Sequence, residues 1–362
     1  THPVEVPIGD PDEIRSIFDA ISYHQGASLI LMLHSYLGPE DFRDGLRHYL
    51  KKFKYQNTVT NQLWEALEEA SGKPVKEVMS AWTLQSGIPE VKVEKVGENY
   101  QASQRLFTLS GSKSQELWPI PLSESGSDWQ QLMKEKQLTL GSELPKLNKD
   151  GKSFYLTSYT HQELAELAGR FSHGQISDLD YINLLHDLLL LCKSTRAEIT
   201  DLLDLAISGA DHENTLVWEM ILASFGLARR LFDSSEQRQL FKARLLPLTA
   251  PHVKALTWEE AADEDYFTTL RRPMLLGTAG WAGDDGVESE ALSRFESAKR
   301  IEDLKPDLRS VIFGAVGRRA LEADFEKLLG WYKVAEAPHA KSSLVGAMTG
   351  FKDAKLFSQL IE

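Results

Sequence analysis

Asp10-Pro11-Asp12-Glu13-Ile14-Arg15-Ser16-Ile17-Phe18-Asp19-Ala20-Ile21 runs into Ser22-Tyr23-His24-Gln25-Gly26, which runs into Ala27-Ser28-Leu29-Ile30-Leu31-Met32-Leu33. Asp10 suits a helix N-cap, Pro11 the first helical position, and Asp12 and Glu13 the first turn, where carboxylates complement the dipole. Ile14, Ile17, Phe18 and Ile21 fall at helical spacing and predict a buried stripe. Tyr23 then falls on the polar side of a junction between two helices, beside a Gly26 read as flexible. A phenol donates a hydrogen bond without carrying charge, because its reference pKa is near 10. That suits a donor to an oxyanion. It equally suits a core tyrosine whose hydroxyl has a backbone partner. His24 is a candidate ligand or base, and equally a surface or capping residue.

Working outward, the second helix stops at Gly38 and Pro39 opens a third, with Phe42, Leu46, Tyr49 and Leu50. Asn61 to Gly72 and Pro74 to Gly87 complete a five-helix unit with short loops. At Ile88-Pro89 the period changes. Val91 and Val93 alternate with Lys92 and Glu94, the pattern of a half-buried strand. Tyr100–Leu106, Trp118–Leu122, Gln137–Leu140 and Phe154–Thr157 are further strand candidates. After Tyr159 the helical period returns, with units near 161–173, 177–193, 197–208, 214–232, 234–247, 264–276, 287–299, 304–316, 320–335 and 338–349. The fold class read from this order is α+β and multidomain: a helical subdomain, a small antiparallel β-sandwich, then a HEAT-like α-solenoid. The loop carrying Gly277, Gly280, Gly283 and Gly286 reads as a flexible connection.

With 362 residues, two or three cores are expected. A net charge of −13 argues against a nucleic-acid partner. No apolar run has the length to span a bilayer, so no membrane partner is expected. Cys192 is the single cysteine, which excludes a disulfide within the chain and suits a reducing, cytoplasmic setting. Lying in Leu188–Cys192, it reads as a small buried hydrophobe, not a nucleophile. Thr1–Glu5 carries no secretory signature, and with no initiator Met the chain reads as a piece of a longer one. No HExxH occurs: His212-Glu213 is followed by Asn214, Thr215, Leu216 and Val217. No metal ligands are assigned within the chain. P-loop, GxSxG and CxxC motifs are absent too.

Three stretches taken together resemble the zinc aminopeptidases of the gluzincin family, the group containing aminopeptidase N, the puromycin-sensitive aminopeptidase and the tricorn-interacting factors. They are Ile17–Ser28 with Met32-Leu33, then Tyr49-Leu50 with Asn61–Trp64, then Met79–Pro89. Weaker likeness continues through Leu117–Pro121 and Phe154–Tyr159. The resemblance implies that residues 1–87 are the C-terminal helical part of a thermolysin-like catalytic domain, 88–160 a β-sandwich, and 161–362 a truncated HEAT- or armadillo-like domain. It implies that zinc serves the full-length enzyme and that its ligands precede Thr1, in a catalytic segment that would be this chain's partner. Tyr23 matches the tyrosine that hydrogen-bonds the tetrahedral oxyanion. Phe18 matches an aromatic lining the pocket for the substrate's first side chain, with simple helix core as its alternative. Gln25, Leu156 and Tyr181 stand where the family commonly has Lys, Arg and Arg. Loss of both arginines puts the usual contact between sandwich and helices in question, while Asp180, Leu184 and Asp187 are kept. The implied function is release of N-terminal residues from peptides by the full-length protein, with this chain alone inactive and supplying the tyrosine and a helical bowl. The alternative is a non-catalytic α-solenoid that binds peptides or acts as a scaffold.

Overall fold

The computed structural model describes residues 2–6, 8–13, 19, 21–110, 115–232, 234–351, 353 and 355–356. The chain is mostly helical, at 61%, with a small mixed sheet. It divides into two compact units, Thr1–Gly209 and Ala210–Glu362.

In the first unit, Pro11–Glu13 form one 3-10 turn, begun where Asp10 accepts from the Asp12 N–H at 2.9 Å. Ile21–Gln25 form a π-helical turn that passes directly into α1, Gly26–Leu37. The expected junction is therefore the widened first turn of one helix that runs from Ile21 to Leu37. Gly26 is helical rather than flexible, and a Cβ on it would sit 4.0 Å from Val4 Cγ1. Leu29, Met32, Leu33 and Leu37 are buried along α1. Helices α2 (Pro39–Lys52), α3 (Thr60–Ser71) and α4 (Val75–Leu84) follow. α2 and α3 approach closely at Gly45, where a Cβ would come within 2.7 Å of Leu67.

Strands β1 (Ile88–Val96) and β2 (Asn99–Phe107) pair antiparallel over their whole length, from Ile88↔Phe107 to Val96↔Asn99. The turn falls at Gly97, with φ 64°. β3 (Ile120–Ser123) pairs with β4 (Gln130–Met133), and β5 (Gln137–Thr139) adds to β2. β6 (Leu156–Ser158) adds to the other side of β1, and it runs parallel. The all-antiparallel expectation is corrected there: β6 reaches β1 through a long crossover instead of a hairpin, which frees its direction. Gln104 ties the two sheets, donating to the Trp118 and Glu135 carbonyls at 3.0 Å each and accepting from the Trp118 N–H at 2.9 Å. Trp82 of α4 donates to the Pro119 carbonyl at 3.0 Å, fixing the helices to the strands.

The unit ends with α5 (His161–Ser172), α6 (Asp178–Lys193) and α7 (Ile199–Ser208). α6 meets the β region through two carboxylates. Asp187 Oδ2 accepts from the Thr157 N–H and hydroxyl, both at 2.8 Å. Asp180 accepts from the Asp150 N–H at 2.7 Å and the Ser125 hydroxyl at 2.5 Å, and Lys146 Nζ lies 3.4 Å away. The contact that the missing arginines put in question is thus made by Asp180 and Asp187. Leu156 packs apolar against Phe107 and Leu191. Tyr181 is buried, stacks on Phe171 at 3.8 Å and donates to the Leu205 carbonyl. Burial pushes its pKa up to about 12.

The second unit contains α8 (Thr215–Arg229), α9 (Ser235–Leu256), α10 (Tyr266–Ala282), α11 (Asp285–Ser297), α12 (Arg309–Arg319), α13 (Glu322–Val334) and α14 (Pro338–Met348). α9 continues past the expected end at 247, through Pro247 and Pro251. The glycine-rich connection is corrected as well. Gly277 and Gly280 lie inside α10, Gly283 caps it at φ 108°, and Gly286 lies in α11. Gly280 is needed for closeness: a Cβ would stand 3.1 Å from Arg318 and 3.2 Å from Val287. Leu276, Phe295, Ile312, Phe325, Leu328 and Leu344 form the core of this unit. No helix among the described residues is long and apolar enough to cross a membrane.

Candidate functional site around Tyr23

Asp19 organises the turn. Its Oδ1 accepts from the backbone N–H groups of Ile21 at 2.9 Å and Ser22 at 3.0 Å, and its carbonyl accepts from the Tyr23 N–H at 3.2 Å. These are the donors a helix start leaves without internal partners, so the carboxylate acts as the cap. Its other oxygen meets His2 Nε2 at 3.0 Å, while His2 Nδ1 lies 2.7 Å from the Pro3 carbonyl. The carbonyl contact, then the carboxylate, raises the His2 pKa. The Ser22 N–H, then His2, holds the Asp19 carboxyl below its usual value. Glu5 N–H donates to the Thr83 carbonyl at 2.9 Å, anchoring the lead-in strand to α4.

Held this way, Tyr23 is 56% exposed. The core-tyrosine alternative does not describe it. Ile30 and Leu31, both about two turns on, are exposed too, whereas the opposite face of α1 is buried. π-turns inserted in α-helices widen the spiral by a residue and re-aim the side chains they carry. His24 is exposed next to Tyr23, and its carbonyl accepts from the Ser28 hydroxyl at 2.9 Å. Phe18 lies outside the described residues. Asp19 and His2 were not singled out from the sequence. The signal for Asp19 was an N-cap residue two positions before Ile21, masked by assigning the whole stretch to a helix capped at Asp10.

Among the described residues no group of three or more His, Cys, Asp or Glu side chains could hold a metal ion. The zinc that a gluzincin resemblance implies does not fit the residues present, and no step through it is derived from them. The Cys192 thiol donates to the Glu198 carbonyl at 3.4 Å, and burial pushes its pKa up to about 11, so it stays a neutral thiol.

Comparison with known families gives two matches. Residues 1–82 match the peptidase family M1 domain, and residues 144–362 match the ERAP1-like C-terminal domain. The chain belongs to the M1 peptidase family. Among M1 relatives, it is 31% identical over 368 residues to "Aminopeptidase 2" of Candida albicans, covering 97% of this chain and 39% of that protein. It is 31% identical over 384 residues to "Aminopeptidase M1-C" of Oryza sativa subsp. japonica, covering 98% and 43%. It is 33% identical over 306 residues to "Tricorn protease-interacting factor F2" of Thermoplasma acidophilum, covering 84% and 38%. The chain therefore spans about two-fifths of the length of these relatives. Tyr23 falls within the M1 domain match, and the strands from β1 to β5 fall between the two matched regions.

Proposed function

We propose that this chain is the C-terminal portion of a zinc-dependent aminopeptidase that releases N-terminal residues from peptides, and that Tyr23 donates a hydrogen bond to the oxyanion of the tetrahedral intermediate. The observation that carries this is the placement of Tyr23: more than half exposed, on a π-turn whose backbone is capped by Asp19 and which leads into α1, whose other face is buried. A donor so fixed has little freedom to lose when charge develops on the substrate. The M1 family membership supports peptide as the substrate class. The zinc that the family implies is assigned to sequence outside this chain. In the same reading Phe18 lines the pocket for the substrate's first side chain, residues 88–160 form the sandwich, and 161–362 form the HEAT-like bowl of a cytoplasmic enzyme.

The test is Tyr23→Phe in the full-length protein. Turnover is expected to fall on the order of 10²- to 10³-fold with substrate affinity little changed, as for loss of one oxyanion donor. Unchanged turnover in a natively folded variant would remove Tyr23 from the chemistry.

A further inference from the structure

A cavity of about 1170 Å³ opens in the second unit between the ends of α8, α10, α12 and α14 and the start of α9. Its walls carry Arg229, Arg230, Arg238, Lys242, Arg309 and Arg318, and among the described residues no Asp or Glu lines it. That gathering of positive charge occurs in a chain whose net charge is −13.

Four of these cations form no ion pair among the described residues, although the charge of Glu288 acts on Lys242 and opposes the lowering of its pKa. Among the described residues, no carboxylate lies within ion-pairing distance of Arg229, Arg230, Lys242 or Arg309. Arg318 differs, pairing with Glu288 at 2.5 Å. Arg229 and Lys242 both pack on Trp281, at 4.5 and 4.9 Å from its ring centre. Burial lowers the Lys242 pKa, and the charges of Arg318 and Arg229 lower it further. Arg309 spends two donors on the Leu304 and Ile301 carbonyls, at 3.2 and 3.1 Å, and its other N–H groups meet no acceptor among the described residues. Holding like charges together without an anion is unfavourable, and each would gain from a bound one. Room is kept by backbone: Gly317 and Gly350 lie against each other, and a Cβ on Gly346 would meet nothing within 4 Å.

We propose that this cavity binds a compact polyanion, a small molecule carrying several phosphate groups. The guanidinium fork matches phosphate oxygens in pairs, and a phosphate group brings close to two charges where a carboxylate brings one. An acidic peptide spreads single charges along its length at about 3.5 Å per residue, whereas these cations converge on one half-open volume. Trp281 and Phe313 supply an apolar wall for the rest of the ligand.

The test is titration calorimetry of the full chain with inorganic tripolyphosphate at low salt. One site is expected, with affinity falling as salt rises and monophosphate binding far more weakly. Arg229→Gln combined with Lys242→Met should weaken binding at least tenfold. Arg230→Gln, at an exposed position, should weaken it several-fold with an unchanged circular dichroism spectrum, which separates binding from folding. Lys254→Gln, on α9 outside the cavity, should bind as the parent does. Absence of binding at millimolar tripolyphosphate, equal affinity in the cavity variants, or tighter binding of a Glu-rich decapeptide than of tripolyphosphate would each overturn the assignment.

Discussion

Glu90 offers a sharp test of how the strand region is held. It sits on β1 with its side chain 1% exposed, a place where an unpaired carboxylate would be costly. Arg105 of β2 donates to it at 2.6 and 2.9 Å, Arg196 before α7 at 2.6 Å, and the Ser158 hydroxyl of β6 at 2.8 Å. One carboxylate therefore ties three strands to the helical segment beyond them. Replacing it by Gln keeps the shape, keeps one acceptor oxygen and turns an amide N–H₂ toward a guanidinium. Breaking a buried pair on one side costs about 3–5 kcal/mol. Arg105 is half exposed and regains water, whereas Arg196 is only 17% exposed and does not. The expected loss for Glu90→Gln is therefore about 2–3 kcal/mol. Hydrogen exchange of the amides in 88–107 reads this unit without interference from the other. Protection there should fall roughly 30- to 150-fold near neutral pH, at tenfold per 1.4 kcal/mol. Acid supplies a second arm. Burial pushes the Glu90 pKa up, but hydrogen bonds from Arg105, Arg196 and Ser158 outweigh it and hold the value below normal. A carboxylate depressed in the folded state contributes stability above its unfolded value, and that contribution is lost as pH falls through the folded one. The gap between parent and variant should therefore narrow in acid. Protection within twofold of the parent at neutral pH, or a gap that stays constant into acid, would refute the reasoning.

Two further outcomes follow from the same unit. Asp187→Asn removes the charge that accepts both Thr157 donors at 2.8 Å and should cost about 1–2 kcal/mol, read as faster exchange in β6 and α6. Gly87→Ala places a Cβ 2.6 Å from Leu106 Cδ1 at φ 102°, and should cost about 1–3 kcal/mol in urea unfolding followed by strand-region exchange. Adding Leu106→Ala should recover only the part due to the clash, leaving the backbone strain.

Much of this was legible in the sequence because each helix carries its own period. The units expected at 161–173, 177–193 and 320–335 lie within a few residues of α5, α6 and α13. The misreadings share a cause, in that long-range contact outweighed a local signal. Gly277 and Gly280 look like breakers, yet α10 keeps them because its neighbours come too near for a Cβ at 280. Pro247 and Pro251 look like stops, yet α9 continues, with Phe241, Leu245, Thr249 and Leu256 buried along it. β4 is four residues with one buried side chain, too short to show alternation without its partner β3. The mixed direction of β6 was invisible for the same reason, since register and direction belong to pairs of strands.

The two candidate sites differ in how sequence could reveal them. Tyr23 was singled out through the family resemblance of Ile17–Ser28; the Asp19 cap and the π-turn beside it are local in sequence but were not read from it. The basic cavity is assembled from positions 229, 230, 242, 309 and 318, which no window joins, and a net charge of −13 conceals it entirely. Net charge sums over the surface and carries no information on where like charges converge. What marks this cluster is that four of its cations form no ion pair among the described residues, in a chain that has 53 acidic residues against 40 Lys and Arg. With acids in excess, counter-charges were readily at hand, and Arg318, Arg319 and Arg272 each found one. The absence of an ion pair at Arg229, Arg230, Lys242 and Arg309 among the described residues is what the proposed polyanion would answer.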